Sequence, residues 1–296
     1  MPFKAHELYR EYEPDKYKTS TQKKVEGALK EAKEVGLGKK ERTESLEFDE
    51  VRELLGDDLY GPEEIAKVWN MEVNASDLPP LPSREAVEKA KESGEMLVLR
   101  MDKDPRGKPL TMEQMGKIME PLFKKEKKGR VLYNTDWYEK EAFYTKGTPR
   151  LEWKFVSKNV LPGSTSKNYI EQTRLLRDHL ETQGALTDDE RDECTDALLK
   201  ELQGRVGNDW KSVAQALANL KINKHHRRAP VEALYDSLTT FQSRNQRPLE
   251  NQYDWTNVQS SDGYLVNVGG FASVGLHVNC DHPDSALSAL GVVPPR

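Results

Sequence analysis

The sequence predicts an α+β protein, and three patterns along its 296 residues support this fold class. Apolar residues recur at helical spacing through much of the chain, as at 168–182, where they define one face of an amphipathic helix. A short branched apolar run at 96–100 is typical of a buried strand. From Tyr253 onward the apolar period becomes two and glycine becomes frequent, which predicts a late cluster of short strands. A strand, then helices, then clustered strands is the order of an α+β protein.

The first 80 residues are rich in Lys and Glu and contain only short helical patterns, such as the one at 25–32. Pro62, followed by two glutamates, predicts the start of another short helix, because proline and acidic residues suit a first turn. The proline-rich stretch 78–82 is typical of a linker or a rigid entry into the next unit. We therefore expect a charged, mainly helical N-terminal region over 1–80 and a separate domain over 81–296.

Signals for individual helix ends are present in the middle of the chain. Thr111 with Gln114 matches a capping box, Gly94 suits a helix end, and Pro230 suits a first helical turn. Together with the apolar spacing they predict helices at 84–94, 111–123, 168–182 and from residue 230, two more helices over 187–223, and strands at 96–100, 131–137 and 150–157.

The tail is expected to form four short strands, at 254–258, 264–268, 276–279 and 290–293. Large apolar residues at strand spacing are expected to face the core, namely Trp255, Leu265, Val266, Val268, Phe271, Val278 and residues 290–292. Four glycines are expected to be required by the backbone: Gly263, Gly269, Gly275 and Gly291. Proline lacks a strand donor, so Pro294 and Pro295 should stop the last strand or confine it to an edge.

The amino-acid usage of the tail differs from that of the preceding chain. Residues 260–296 contain no Lys, Glu, Gln, Met or Trp, whereas the preceding 259 residues contain 81 of them. These five are the residues that an AAC or AAT codon cannot reach when only its adenines are replaced. The bias therefore suggests adenine-directed mutagenesis. The alternative, that a strand-rich tail uses few long charged residues, explains the absence of Gln, Met and Trp less well.

The tail carries the framework WT…SSDG-x-LV-x-VG-x-F-x-S-x-G-x-x-V…P…LGV, and upstream lie the phrases LYNTDWY, VSKNVLPGSTSKNY and PVEALYD. These residues, over roughly 60–296, resemble the variable target proteins of diversity-generating retroelements, especially those of small uncultured bacteria. The resemblance implies a C-type-lectin-like domain over 81–296, with a helical insertion at about 187–245 and a variable region at about 255–296. It also implies that an error-prone reverse transcriptase acts on the gene and that the protein is not itself an enzyme.

By this resemblance, the residues between the framework positions are candidates for diversified, ligand-facing positions. They are Tyr264, Asn267, Gly270, Ala272, Val274, His277, Asn279, Cys280, Asp281, Asp284, Ala286, Leu287 and Ala289. Scattered small and polar side chains suit a broad surface, so the expected ligand is a protein or another macromolecule. The loop between Val278 and Leu290 is expected to carry this surface, and an ordinary loop without a binding role is the alternative.

Two other classes of function are the alternatives. A formylglycine-generating enzyme on the same fold would need two cysteines late in the domain, and only Cys280 is there. A fixed structural or nucleic-acid-associated protein would use the first 80 residues and the basic residues of 221–228. The net charge of -5 gives no overall attraction to nucleic acid, and a solvated helix end explains the basic residues more simply.

No cofactor or metal is expected. Asp102, Asp104, Gly107 and Glu113 match a calcium loop at only some positions, and an ordinary turn before a capped helix explains them better. His277, Cys280 and His282 match no common zinc spacing.

The composition predicts a soluble protein of the cytoplasm. The mean hydropathy is -0.82, and no apolar run approaches the ~20 residues of a membrane span. The start of the chain lacks the apolar core of a secretory signal, and two distant cysteines suit a reducing compartment. Surface display by another export route remains open.

Overall fold

Two small sheets organise the part of the chain that the computed structural model describes, residues 46–296. The N-terminal sheet has the order β1-β2-β3, with β1 parallel and β3 antiparallel to β2. The C-terminal sheet has the order β6-β5-β4-β7, antiparallel except for the short pairing of β7 with β4. The strands are β1 (Leu59–Tyr60), β2 (Glu95–Arg100), β3 (Glu152–Ser157), β4 (Tyr253–Gln259), β5 (Leu265–Ala272), β6 (Gly275–Asp281) and β7 (Leu290–Gly291).

Helices separated by turns and loops make up much of the remaining described chain, and the predicted α+β class is confirmed. They are α1 (Phe48–Leu55), α2 (Pro62–Trp69), α3 (Arg84–Ser93), α4 (Met112–Glu126), α5 (Ala142–Thr145), α6 (Tyr169–Thr182), α7 (Asp188–Glu193), α8 (Asp196–Arg205), α9 (Trp210–Asn219), α10 (Lys221–His226) and α11 (Pro230–Arg244), with short 3-10 helices at Gly56–Asp58 and Ala75–Asp77. The predicted helical pattern at 25–32 lies outside the described residues.

Helix α11 contacts both sheets and forms the centre of the largest core. Its residues Leu234 and Phe241 join the same apolar cluster as Phe271 of β5. On another side of α11, the Trp69 and Tyr235 rings stack with centroids 5.1 Å apart. The Trp69 indole N–H also donates to Thr239 Oγ1 at 3.1 Å, so this buried polar group is satisfied.

The other face of the C-terminal sheet is covered by helices α6 to α10. Trp255 of β4 is fully buried there, and its ring lies 4.7 Å from that of Tyr169. The prediction of two helices over 187–223 is wrong, because the structure has four. The Thr187 and Thr195 side chains each accept a backbone N–H and start a separate short helix.

The predicted domain boundary at residue 80 is also wrong. Residues 46–80 belong to the same compact unit as the rest of the described chain. Val51 of α1 packs with Val87 of α3, and β1 extends the N-terminal sheet. The proline-rich stretch does not separate two units, and its Pro79 carbonyl accepts a hydrogen bond from the Trp153 indole at 3.1 Å.

Residues 131–137 do not form the predicted strand. They make a single bridge, Leu132 with Leu276, supported by the hydrogen bonds on either side of it. The chain then turns at Asn134, which has φ +34°. The segment therefore joins the sheet at one point only, and its alternating residues place side chains beside β6.

The last residues leave the C-terminal sheet and join the N-terminal one. Strand β7 ends at Gly291, and Pro295 forms an antiparallel bridge with Val156 of β3. Arg296 donates its backbone N–H to Phe155 and accepts one in return, at 2.9 and 3.1 Å. The predicted strand ends two residues early, because the Val292 and Val293 N–H groups donate to the Ser164 and Asp254 side chains. The two prolines pack in the interior, so the last residues connect the two sheets.

A chain of four buried charges also connects the sheets. Arg100 of β2 forms two hydrogen bonds with Asp236 of α11, at 3.0 and 2.7 Å. Asp236 also accepts from Arg228 at 3.1 Å, and Arg228 donates to Asp254 of β4 at 2.9 Å. The second oxygen of Asp254 accepts the backbone N–H of Val293 at 2.7 Å. No side chain of the four is more than 4% exposed, so each charge depends on its neighbours for solvation.

We predict that Asp236→Ala lowers the free energy of unfolding by about 3–5 kcal/mol, because it leaves two buried guanidinium groups without their shared partner. Urea denaturation measures the change. Glu201→Ala is the control, since its i,i+4 ion pair with Arg205 is exposed and should contribute less than about 1 kcal/mol. Equal losses of unfolding free energy in the two variants would contradict a structural role for the four buried charges.

Candidate ligand-binding surface

Strand β6 lies at the edge of the C-terminal sheet, and its side chains alternate between the core and the outside. Leu276 and Val278 are buried in the main core. His277, Asn279 and Asp281 occupy the opposite face and reach the surface. This alternation separates residues that hold the fold from residues that are open to a ligand.

Aromatic residues from the 131–137 segment border one side of this strand. The Tyr133 and His277 rings stack with centroids 4.3 Å apart, and Tyr133 is 44% exposed. Trp137 is 39% exposed, and its indole N–H donates to the Val278 carbonyl at 3.0 Å. Both rings are therefore held in place and remain accessible. Burial lowers the pKa of His277 below the ordinary histidine value, so this ring is neutral at pH 7.

A second aromatic group lies at the start of α9. The Trp210 ring is 4.6 Å from that of Tyr264 and 5.0 Å from that of His282, centroid to centroid. The Lys211 ammonium lies 5.4 Å from the Trp210 ring centre, within range of a cation–π contact. The helical part of the chain thus contributes to the same region as the tail. We call His277, Asn279, Asp281, the loop 282–289 and the flanking Tyr133, Trp137, Trp210 and Tyr264 the outer surface.

The loop 282–289 is irregular, but its backbone is tied down along its length. Its Pro283 and Leu287 carbonyls accept backbone N–H groups from Tyr169 and Ser166, each at 3.0 Å. The Ala289 carbonyl accepts from Tyr253 at 2.7 Å. These bonds use the loop's main chain, so they do not depend on which side chains it carries. Loops held in this way are common recognition sites.

Most of the thirteen candidate positions reach solvent. Six are exposed: Tyr264, Val274, Asn279, Asp284, Ala286 and Leu287. Six are partly exposed: Gly270, Ala272, His277, Cys280, Asp281 and Ala289.

Two candidates do not suit free variation. Asn267 is only 2% exposed and donates to Asp281 at 2.8 Å, so the expectation that it faces a ligand is wrong. Gly270 has φ +56°, and a Cβ there would lie 2.4 Å from the Tyr253 hydroxyl. A side chain at this position would be strained and would also displace that hydroxyl.

The four glycines expected to be required by the backbone meet that expectation. Gly263 and Gly275 have φ of +99° and +112°, where other residues are strained. At Gly269 a Cβ would lie 2.1 Å from the Gln252 carbonyl oxygen, and at Gly291 it would lie 2.6 Å from Ser164 Oγ. Close approach of neighbouring backbone explains Gly269, and close approach of the Ser164 and Val160 side chains explains Gly291.

Tyr133, Trp137 and Trp210 were not among the residues predicted to face a ligand. Their signal was present, because large aromatic residues in polar segments are unusual at positions that face only water. Nothing in a linear pattern indicated that these distant segments meet at β6.

The nucleophile and metal candidates have ordinary structural surroundings. Burial raises the pKa of the Cys194 and Cys280 thiols to about 11, which leaves little reactive thiolate at neutral pH. Within residues 46–296, no group of three or more His, Cys, Asp or Glu side chains is placed to hold a metal ion. Asp104, from the weighed calcium loop, instead accepts the backbone N–H groups of Arg106 and Lys108 at 2.9 Å.

The basic residues of 221–228 do not form the expected solvated helix end. Arg227 and Arg228 are 1% and 3% exposed and bind interior groups. His225 and His226 both contact one oxygen of the buried Glu190, at 2.8 and 3.1 Å. Only part of the patch, including Lys221 and Lys224, is open to solvent.

No family model, curated protein or solved structure matches this chain. Among the helices of residues 46–296, none combines the length and the apolar character that a membrane span requires.

We predict that Gly269→Ala lowers the free energy of unfolding by about 1–3 kcal/mol, because the new methyl group would overlap fixed backbone. Gly204→Ala in α8 is the control, since its Cβ would meet no atom within 4 Å and should stabilise the helix by up to about 1 kcal/mol. Thermal or urea denaturation gives both values. If Gly269→Ala leaves the free energy of unfolding unchanged, the strand can move at residue 269 to make room for the methyl group.

Proposed function

We propose that this protein binds a protein or another macromolecule through the outer surface, and that recognition is its role. The observation that carries the proposal is the separation of residues along the tail. Core side chains such as Val266, Val268 and Phe271 are fully buried, whereas twelve of the thirteen candidate positions are at least partly open. A surface of this kind can change without a change in the fold.

The chemistry of the outer surface suits a macromolecular ligand. Its accessible aromatic rings, Tyr133, Trp137 and Tyr264, provide large contact areas at low entropic cost. Between them lie short polar side chains that can adapt their hydrogen bonds. Leu287, 49% exposed on the anchored loop, adds an apolar contact. Such mixtures of aromatic and small polar residues are typical of selected binding surfaces.

We further propose that the domain has a C-type-lectin-like fold and that its tail is diversified by a retroelement. The order of strand β2, helix α4, helix α6 and four late strands supports the fold. The absence of Lys, Glu, Gln, Met and Trp from residues 260–296 supports the mechanism of variation. The candidate positions lie within this biased segment, so the residues that reach solvent and the residues with the unusual composition are in the same part of the chain.

Sequencing the DNA that flanks the gene tests this proposal. We expect a second copy of the codons for residues 260–296 that differs at adenines, together with a reverse-transcriptase gene. Finding both would also identify the variable positions directly. Finding neither would exclude the retroelement mechanism at this locus and leave a fixed binding surface to be explained.

A display library tests the outer surface itself. NNY codons, which encode the fifteen residues other than Lys, Glu, Gln, Met and Trp, would replace those for Asn279, Ala286 and Leu287. The library would be selected on a panel of purified globular proteins. We expect enriched variants with dissociation constants of about 1 μM or tighter.

In those selected binders, Tyr133→Ala should weaken affinity at least about tenfold, because Tyr133 provides a rigid aromatic contact beside the varied residues. Leu151→Ala is the control, since Leu151 is similarly exposed and lies outside the outer surface. Surface plasmon resonance measures both. If Tyr133→Ala leaves the affinity unchanged, or if Leu151→Ala weakens it as much, the ligand does not bind at the outer surface beside Tyr133.

A further inference from the structure

A cleft distinct from the outer surface lies between β3 and α10. Its volume is about 390 Å³, within the range of small-molecule sites. None of the thirteen candidate positions lines it. Five basic side chains line the cleft, against two acidic ones, in a protein whose net charge is -5. The local excess of positive charge is therefore opposite to the charge of the whole molecule.

Arg227 forms the base of this cleft and is 1% exposed. Its guanidinium bonds only neutral groups, including Asn223 Oδ1 at 2.9 Å and the Trp255 carbonyl oxygen at 3.3 Å. It also stacks over the Tyr169 ring, 3.9 Å from the ring centre. Among residues 46–296, no carboxylate lies within ion-pair distance of it. A buried cation without an anionic partner is unusual, because burial removes its hydration.

Arg100 lies at the same base and is fully buried. Its Nε and Nη2 atoms bond Asp236, but its Nη1 has no hydrogen-bond partner of good geometry within the described chain. The nearest carboxylate oxygens to Nη1 belong to Glu232 and Glu152, at 3.2 and 3.8 Å. This N–H is thus within ion-pair distance of Glu232 but makes no hydrogen bond of good geometry in the described chain.

The remaining cations stand on the walls and rim. Lys154 is half-buried on β3, and Lys224 and Arg150 are exposed at the opening. Within the described residues none of the three forms an ion pair, whereas the two glutamates of the cleft are both directed at Arg100. Burial lowers the pKa of Lys154, and the nearby Arg100 lowers it further against the opposing effect of Glu152. An anion in the cleft would relieve this unfavourable arrangement.

We propose that this cleft binds a small multivalent oxyanion, a molecule carrying phosphate or carboxylate groups. At the base, the Nη1 of Arg100 offers an N–H donor, and Arg227 adds a positive charge whose own N–H groups already bond neutral partners. Lys154 on the wall and Lys224 at the rim supply further positive charge. The site goes beyond the proposed function, because its basic residues come from β2, β3, α10 and neighbouring segments and include none of the thirteen candidate positions.

Isothermal titration of the full-length chain with pyrophosphate, and separately with citrate, tests the site. The two probes distinguish phosphate from carboxylate as the preferred group. We expect saturable binding of at least one probe near one site per chain. Lys154→Gln combined with Lys224→Gln should weaken it at least about tenfold, because two charge-assisted contacts are lost.

Two further variants make the result specific. Lys103→Gln combined with Lys200→Gln removes the same charge from exposed lysines outside the cleft and should leave binding within about twofold, since only long-range attraction changes. Glu152→Gln should strengthen binding, a gain that misfolding cannot mimic. The proposal is overturned if neither probe binds saturably, if the two double variants weaken binding equally, or if Glu152→Gln weakens it.

Discussion

The chain of four buried charges is the constraint on which the rest of the structure depends. Its members are Arg100, Asp236, Arg228 and Asp254. It passes from the N-terminal sheet through α11 to the C-terminal sheet, and Asp254 then holds the backbone of Val293. Each member is stabilised only while its neighbours remain in place, so the two sheets are fixed at one relative position. The outer surface lies on the edge strand of the C-terminal sheet, which the buried charges hold in place. The side chains of the outer surface therefore need not help to fix the sheet.

Local patterns predicted much of the fold because local physics determines it. Capping residues and apolar spacing located α4, α6 and α11, and period-two alternation located the tail strands. The boundary at residue 80 failed because the proline-rich stretch resembles a linker, and only tertiary contacts reveal that β1 pairs with β2. The prediction of a strand at 131–137 was wrong because this segment forms only one bridge to β6, and its alternating residues place side chains beside that strand.

The candidate surface was predicted less completely, for a different reason. His277 and Asn279 were candidates by the resemblance of the tail to variable target proteins, and alternation along β6 places them opposite the buried Leu276 and Val278. The aromatic neighbours Tyr133 and Trp210 come from segments distant in sequence, and no local rule brings them together. Likewise, Arg228 looked like part of a solvated basic patch, because its buried partner Asp254 is 26 residues away. Ion pairs across such distances are visible only in the folded chain.

The proposed function requires that the tail's core residues carry the fold while its outer residues are free to vary. A protease-resistance scan of displayed variants, with one NNY codon at a time over residues 260–293, measures this directly. We expect Asn279, Ala286 and Leu287 to accept most of the encoded residues, and Val266, Phe271 and Gly269 to accept few. If substitutions at the outer positions destabilise the protein as strongly as those in the core, the separation of scaffold from binding surface is wrong.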